Sequence, residues 1–216
     1  MKTILAFGDS LTFGANPVKD GPRHAYEDRW PSTLERALGG DVRVVAEGLG
    51  GRTTVYDDFT TAADRNGGRI LPTLLSSHEP LDLVIIMLGT NDLKPTICGS
   101  ALWASYGMRR LTQITRGQFF GLGTPVPQVL LVAPPHACET DNVDVSDHFG
   151  GLYHMIGESK LFAKHYLRQA TDWSTGFFDA ATVAKASPID GIHLDAANTS
   201  AIGEGIAPVV KKVLGL

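Results

Sequence analysis

The sequence predicts an α/β fold, with helices on both faces of one sheet, and two observations support this prediction. Short runs of Val, Ile and Leu alternate with longer segments of helical periodicity from end to end of the chain. The short runs are apolar on both faces, which is typical of strands buried in a parallel sheet. Alternating strands and helices favour a doubly wound sheet with right-handed crossovers.

Five short runs are candidate strands, and five longer segments are candidate helices. The strands lie at 3–7, 42–46, 83–88 and 129–133, with a weaker candidate at 176–179. The helices lie at 30–38, 70–75, 102–114, 152–173 and 196–214. Gly39 and Gly40 are expected to end the first helix, and Pro208 is expected to kink the last one.

Composition excludes several classes of protein. The 216 residues, 43% of them hydrophobic, suit one domain over residues 1–216 with its own core. A net charge of −4 without a basic stripe argues against nucleic acid as a partner. Two cysteines, Cys98 and Cys138, are too few for a disulfide framework or a four-ligand zinc site. The histidines show no metal-binding spacing, so no metal is expected.

The expected compartment is the cytoplasm, with no membrane partner. Residues 3–7 are typical of a first strand, because a secretory signal needs an apolar run of roughly 7–15 residues. The longest apolar run elsewhere, at 83–88, is far shorter than the ~20 residues of a membrane span.

Four long loops, at 14–28, 48–69, 92–101 and 134–150, each follow a predicted strand. In a parallel sheet such loops meet at the carboxyl edge, where ligands bind. Long loops inside a compact domain are usually functional or disordered. We therefore expect the chemistry of the protein at this edge.

Three residues after the first three strands are candidate catalytic groups. Ser10 is a candidate nucleophile, or only the N-cap of the next helix. Gly51 lies in a glycine-rich turn that fits a tight turn or a backbone N–H donor to an oxyanion. A dinucleotide loop would need a further glycine where Thr53 stands. Asn91 either donates its amide to a developing negative charge or closes an Asx-turn.

Near the C-terminus, Asp190 precedes His193 by three positions, with Gly191 between them to allow a tight turn. This spacing lets the carboxylate orient the imidazole and stabilise its protonated form, as a general base requires. A lone histidine in a loop is more often a surface or packing residue. With Ser10, however, the pair completes an acyl-transfer set in the chain order Ser, Asp, His.

Four motifs resemble blocks of the SGNH (GDSL) hydrolase family. They are Gly8-Asp9-Ser10-Leu11, Gly51, Gly89-Thr90-Asn91-Asp92 and Asp190-x-x-His193, in the order of the family. The resemblance implies a flavodoxin-like three-layer α/β/α sandwich around a mainly parallel five-stranded sheet. It also implies ester hydrolysis without a metal or an organic cofactor.

The same resemblance implies a role for each site residue. Ser10 would be the nucleophile, His193 the general base and Asp190 its orienter. The oxyanion donors would be the backbone N–H groups of Ser10 and Gly51 and the side-chain amide of Asn91. Glu47 stands where the family often has Asn, so the network behind the oxyanion loop is expected to differ.

Stretches 47–49, 52–54 and 82–92 look like the bacterial arylesterase/acyltransferase branch of that family. The expected function is therefore a serine esterase that hydrolyses small acyl esters, in which an alcohol can replace water as acyl acceptor. Loops 14–28 and 134–150 are rich in Pro and aromatic residues, and are expected to cover the cleft or to form contacts in a homo-oligomer.

Five apolar residues flank the catalytic residues in sequence and are candidate walls of a small acyl pocket, or else core residues. They are Leu11, Phe13, Leu93, Ile97 and Ile192.

Two other functions stay open at this point. A carbohydrate acetyl esterase would use the same catalytic residues, with Trp103 or Tyr106 as an aromatic platform for the sugar. A nucleotide-binding flavodoxin-like module would use the glycine-rich turn at 48–51, although the sequence has no Walker motif.

Overall fold

One parallel sheet of five strands organises the protein, which is described over residues 1–118, 120–121 and 123–216 of a computed structural model. The strands are β1 (Lys2–Gly8), β2 (Val42–Gly48), β3 (Leu83–Met87), β4 (Gln128–Ala133) and β5 (Gly176–Asp179). Their order across the sheet is β2-β1-β3-β4-β5, and every neighbouring pair is parallel. The predicted fold class is confirmed, and this sheet is parallel throughout.

Helices connect the strands. They are α1 (Ser10–Phe13), α2 (Trp30–Leu38), α3 (Gly67–Ser77), α4 (Ala101–Gly117), α5 (Val143–His148), α6 (Leu152–Ser159), α7 (Phe162–Asp172) and α8 (Ala196–Leu214). Gly39 follows the last residue of α2 with a φ of 88°, as its C-cap. Pro208 lies inside α8, which continues without a break to Leu214. The helix expected at the turn after β1 is α1, which has only four residues, whereas the short helix α5 lies in a segment without a clear helical period and was not predicted.

The prediction of a single helix over 152–173 is wrong. The chain forms two helices there, because the backbone N–H of Leu161 turns back to the carbonyl of Glu158 at 2.9 Å and tightens the turn between them. The Ser159 hydroxyl, which accepts from the N–H of Ala137 at 3.0 Å, ties the end of α6 to the loop after β4. Apolar spacing continues across this turn, so the periodicity alone could not reveal it.

Two hydrophobic cores lie on opposite faces of the sheet. In β1, Leu5 and Phe7 belong to one core while Ile4 and Ala6 belong to the other, as the period of two in a strand requires. The first core packs residues of α3, α4, α6 and α7 against the sheet, and the second packs residues of α2 and α8. The result is the predicted three-layer α/β/α arrangement.

No helix within the described residues is both long and apolar enough to cross a bilayer.

Candidate active site

Ser10 is the first residue of α1, and only Asp9 separates it from the end of β1. Its neighbour Asp9 caps this helix, since Asp9 Oδ1 accepts a hydrogen bond from the N–H of Leu11 at 2.9 Å. The N-cap role that the sequence left open for Ser10 therefore belongs to Asp9. The Ser10 hydroxyl lies 2.9 Å from His193 Nε2 instead.

His193 and Asp190 form a closed local unit. The Nδ1 atom of His193 lies 2.5 Å from Asp190 Oδ2, and Asp190 Oδ1 accepts from the N–H groups of Ile192 at 3.0 Å and of His193 at 2.8 Å. Gly191 turns the chain between them with a φ of 76°, and a Cβ at this position would stand 2.7 Å from the carbonyl oxygen of Cys138. Only glycine fits this turn.

The carboxyl of Asp190 stays ionised in this unit. Burial raises its pKa, but the hydrogen bonds from the His193 ring and from two backbone N–H groups outweigh burial, so that the pKa lies below its ordinary value. An ionised Asp190 holds a proton on His193 Nδ1 and leaves Nε2 free to accept one from Ser10.

Candidate oxyanion donors face the same space. A cavity of about 300 Å³ is lined by Ser10, Gly51, Asn91 and His193. The Asn91 amide nitrogen donates to the carbonyl of Arg52 at 3.1 Å, while its distance to Asp9 Oδ2 is 3.5 Å, at the outer limit of a hydrogen bond. One amide N–H is therefore held by Arg52, and the other is only weakly engaged.

Arg52 builds the network behind the Gly51 turn. Its buried Nη1 atom donates to the carbonyl of Gly8 at 2.7 Å and also to that of Glu47, and its guanidinium lies 4.4 Å from the centre of the Phe7 ring. The carboxylate of Glu47 points away from the turn and meets His78 at 2.8 Å. Arg52 thus joins the carboxyl ends of β1 and β2, a role that the sequence analysis did not assign.

Two fully buried carboxyls support the candidate oxyanion hole. Asp92 accepts hydrogen bonds from the N–H and the hydroxyl of Thr54, at 3.0 Å and 2.5 Å, and so connects the loops after β2 and β3. Burial raises the pKa of Asp92 to about 7 and that of Asp9 to about 6. No role was expected for Asp92, and the full burial of a carboxyl is an unusual placement.

Of the five candidate pocket residues, only one lines the catalytic cavity. Ile192 lines the cavity beside Ser10. Leu11 and Leu93, which are 4% and 1% exposed, belong to the two hydrophobic cores instead. Phe13 lies under the guanidinium of Arg23 in a second cavity of about 360 Å³. Ile97 is half-buried and lines neither cavity.

The outer wall of the catalytic cavity comes from residues outside the five pocket candidates, three of them in loop 134–150, which the sequence predicts to cover the cleft or to form subunit contacts. They are Lys94, Val145, His148 and Phe149. Val145 and His193 line the second cavity as well, together with Asp190, so the two cavities meet at the imidazole. A larger cavity of about 620 Å³ runs along the outer strand β2 and shares no lining residue with the catalytic one.

Among the described residues, no group of three or more His, Cys, Asp or Glu side chains could hold a metal ion.

The profile of the GDSL-like lipase/acylhydrolase family matches residues 6–197. The chain belongs to this family. The match includes the segments that carry Ser10, Gly51, Asn91, Asp190 and His193. No curated protein sequence matches the chain.

Solved structures match this family member over its whole length. A carbohydrate acetylesterase family member from Sinorhizobium meliloti is 49% identical, with a TM-score of 0.96 and 100% of both chains covered. The aryl esterase of M. smegmatis is 39% identical, with a TM-score of 0.92, over 99% of this chain and 100% of that chain. A carbohydrate acetylesterase from S. meliloti is 38% identical, with the same TM-score and the same coverage. The chain is a serine esterase, a hydrolase of carboxylic esters.

Proposed function

We propose that this esterase hydrolyses small acyl esters, in the manner of an arylesterase, with Ser10 as nucleophile, His193 as general base and Asp190 as its orienter. The observation that carries the proposal is the unbroken line of hydrogen bonds from Ser10 Oγ through the imidazole to the Asp190 carboxylate. Cavity-lining Gly51 and Asn91 support the proposal further, because they supply an N–H and an amide beside the nucleophile.

The reaction has two steps. His193 Nε2 takes the proton of Ser10 as the oxygen attacks the ester carbonyl, and the negative oxygen of the tetrahedral intermediate is held by the N–H groups of Ser10 and Gly51 and the amide of Asn91. The imidazolium then gives its proton to the departing alcohol. Water attacks the acyl-enzyme by the same route in reverse, and releases the acid and the free serine.

The size of the cavity supports a small acyl group. Its volume of about 300 Å³ must hold the reacting carbonyl as well as the acyl chain, and it lies at the lower end of the range for ligand pockets. The wall residues Val145, Phe149 and Ile192 are apolar and favour a short alkyl or aryl group next to the reacting carbonyl.

Release of p-nitrophenol from the acetate, butyrate and octanoate esters tests the proposal. We expect turnover to fall as the chain lengthens, and Ser10→Ala to lose at least ~10⁴-fold in kcat while staying folded by circular dichroism. Ser77→Ala, at an exposed position of α3, is the matched control. Substantial turnover by Ser10→Ala would refute the nucleophile assignment.

A carbohydrate acetylesterase is the second candidate function. Trp103, 53% exposed near the start of α4, stacks edge to face with Tyr106 at a centroid distance of 5.5 Å, which supports a sugar platform. Two of the similar solved structures are described as carbohydrate acetylesterases. Acetate release from acetylated xylose or glucose, compared between wild type and Trp103→Ala, tests this candidate. Equal rates for both proteins would remove the Trp103 platform, and absence of acetate release by wild type would remove the candidate function.

Alcohols also serve as acyl acceptors in this proposal. The second cavity reaches His193 beside Asp190, and so offers room for an alcohol next to the general base. Formation of benzyl acetate from vinyl acetate and benzyl alcohol in buffer measures this activity. Hydrolysis alone at high alcohol concentration would contradict it.

We further propose that residues 1–216 form one hydrolase domain that assembles as a homo-oligomer in the cytoplasm. The exposed aromatic side chains of Tyr26, Phe59 and Tyr153 support contacts between subunits. Both cysteines are free thiols, which suits a reducing compartment. Light scattering at micromolar concentration tests assembly, and a monomer would contradict it.

A further inference from the structure

A buried cation lines the catalytic cavity and, among the described residues, pairs with no carboxylate. Lys94 ends the short helix Thr90–Leu93, which carries Asn91, and is only 8% exposed. It lines the cavity together with Ser10 and Asn91. Its ammonium lies 5.6 Å from the centre of the Phe149 ring. The ammonium forms no hydrogen bond and no ion pair with any side chain or backbone group of the described residues.

Arg65 places a second cation behind the Gly51 turn. Its Nε and Nη1 atoms are buried and have no hydrogen-bond partner in the described part of the chain. A Cβ built on Gly51 would lie 3.3 Å from Arg65 Nε, so the guanidinium packs directly against the turn. Lys94 and Arg65 therefore place two positive charges beside the cavity. Neither side chain takes part in the acylation or the deacylation step proposed above.

The carboxyl groups nearby are engaged elsewhere. Asp58 is the carboxylate with the strongest influence on Lys94, yet it forms no ion pair with that ammonium and accepts instead from the N–H and hydroxyl of Thr60, at 3.0 Å and 2.5 Å. Asp9 and Asp92 are fully buried and bind Leu11 and Thr54. Burial lowers the pKa of Lys94, as expected for a cation that has lost water without gaining a counter-ion.

We propose that the cavity accepts esters that carry an acidic group, and that Lys94 pairs with this group when the ester is bound. Removing a cation from water is unfavourable unless an anion replaces the lost hydration, and the chain itself supplies no such anion here. A carboxylate on the substrate supplies it, with Arg65 adding positive potential from behind the Gly51 turn. The proposal rests on the proposed function, because it assumes that the ester reacts at Ser10.

Two matched pairs of esters measure this preference. Monoethyl succinate and ethyl succinamate differ only by a carboxylate or a neutral amide at the end of the acyl chain. Likewise, 4-acetoxybenzoate and its methyl ester differ in charge on the leaving group. We expect wild type to favour the charged member of at least one pair in kcat/KM, as measured in a pH-stat.

Substitution of Lys94 then tests whether this side chain causes the preference for charged esters. Lys94→Met keeps the length of the side chain without its charge, and should lower the ratio of charged to neutral kcat/KM by about 10- to 100-fold, the range of a charge-assisted hydrogen bond. Lys94→Arg should restore most of this ratio. Lys212→Met, at an exposed position of α8, is the matched control and should leave the ratio unchanged.

Each remaining outcome overturns the proposal. No preference in either pair means that the cavity does not recognise an acidic group. An equal loss for charged and neutral esters in Lys94→Met means that the ammonium acts on the reacting carbonyl instead. The neutral esters keep the two hypotheses separate, because their Ser10-dependent turnover tests the esterase mechanism whatever the charged esters do.

Discussion

The two sides of the catalytic cleft are built in different ways. The strand-end side, formed by residues 8–10, 51–54 and 89–92, consists of buried groups that bind one another across loops; Asp9, Thr54 and Asp92 are all 0% exposed. The loop wall, formed by residues 142–149, is held mainly by local bonds, such as that from the Val145 N–H to Asn142 at 3.2 Å. Within this described segment, Phe149 is the one buried residue.

The rigid strand-end side suits the catalytic groups, and the loop wall suits the selection of the ester. Groups that must meet a reacting atom within a fraction of an ångström gain from a rigid, cross-linked setting. A wall that only shapes the space for the acyl chain tolerates small displacements, and surface loops change more easily than strand ends. We therefore expect substitutions on the strand-end side to change kcat, and substitutions in the loop wall to change which ester is preferred.

After Ser10→Ala, the substitution Asn91→Ala should produce the largest effect. Loss of one oxyanion donor costs about 10²–10³-fold in kcat in comparable enzymes. Because the amide acts on the intermediate more than on the bound ester, KM should change little. Steady-state kinetics with p-nitrophenyl acetate measures both values, and circular dichroism checks folding. A loss below tenfold in a folded variant would remove Asn91 from the oxyanion hole.

Asp92→Asn should change stability in a pH-dependent way. The pKa of this carboxyl is about 7 in the folded protein against an ordinary 3.8, so the folded state holds the proton more tightly than the unfolded state. The contribution to stability is therefore fully present below about pH 4 and is lost as the pH rises towards 7. An asparagine does not ionise and keeps an oxygen that accepts from Thr54.

Urea unfolding measures this effect. Relative to Asp92→Asn, the free energy of unfolding of wild type should fall by about 2–4 kcal/mol between about pH 4 and about pH 8. Asp141→Asn changes an exposed carboxyl in the loop after β4 and serves as control. Parallel curves for wild type and Asp92→Asn would show that Asp92 has an ordinary pKa in the folded state.

Val145→Ala should have the smallest effect on rate and a visible one on selectivity. Removing two methyl groups from the loop wall enlarges the cavity, and one methylene in an apolar pocket is worth roughly 10-fold or somewhat more. The butyrate-to-acetate ratio of kcat/KM should rise, while kcat for acetate stays within about threefold. Val126→Ala, on the exposed segment before β4, is the control. An unchanged ratio would place the acyl chain elsewhere.

The same division explains what the sequence could predict. Asp190, Gly191 and His193 are close along the chain, so their geometry follows from one tight turn and from the φ that glycine allows. Ser10 and Asn91 follow buried strands whose apolar runs are strong signals. These features depend on local sequence and on one parallel sheet.

The rest depends on contacts between distant segments. Val145 reaches the cavity from a helix of six residues, too short to produce a periodic signal, and Phe149 is the C-cap of that helix. Leu11 and Leu93 stand beside or near site residues in sequence, yet their side chains leave in the opposite direction and enter the cores. A residue that is adjacent in sequence to a catalytic residue need not point into the same cavity, because the direction of its side chain follows from how the helices and strands pack.

The segment between Thr53 and Asn66 has one more consequence. These two residues form an isolated parallel bridge, and the N–H of Thr53 donates to the carbonyl of Arg65 at 3.0 Å, so both ends of the segment are fastened together beside Gly51. Its tip, 59–64, is exposed. For protein engineering this is an insertion point: a longer or foreign sequence placed in the tip would add surface to the enzyme while the fastened ends keep the Gly51 turn where it is.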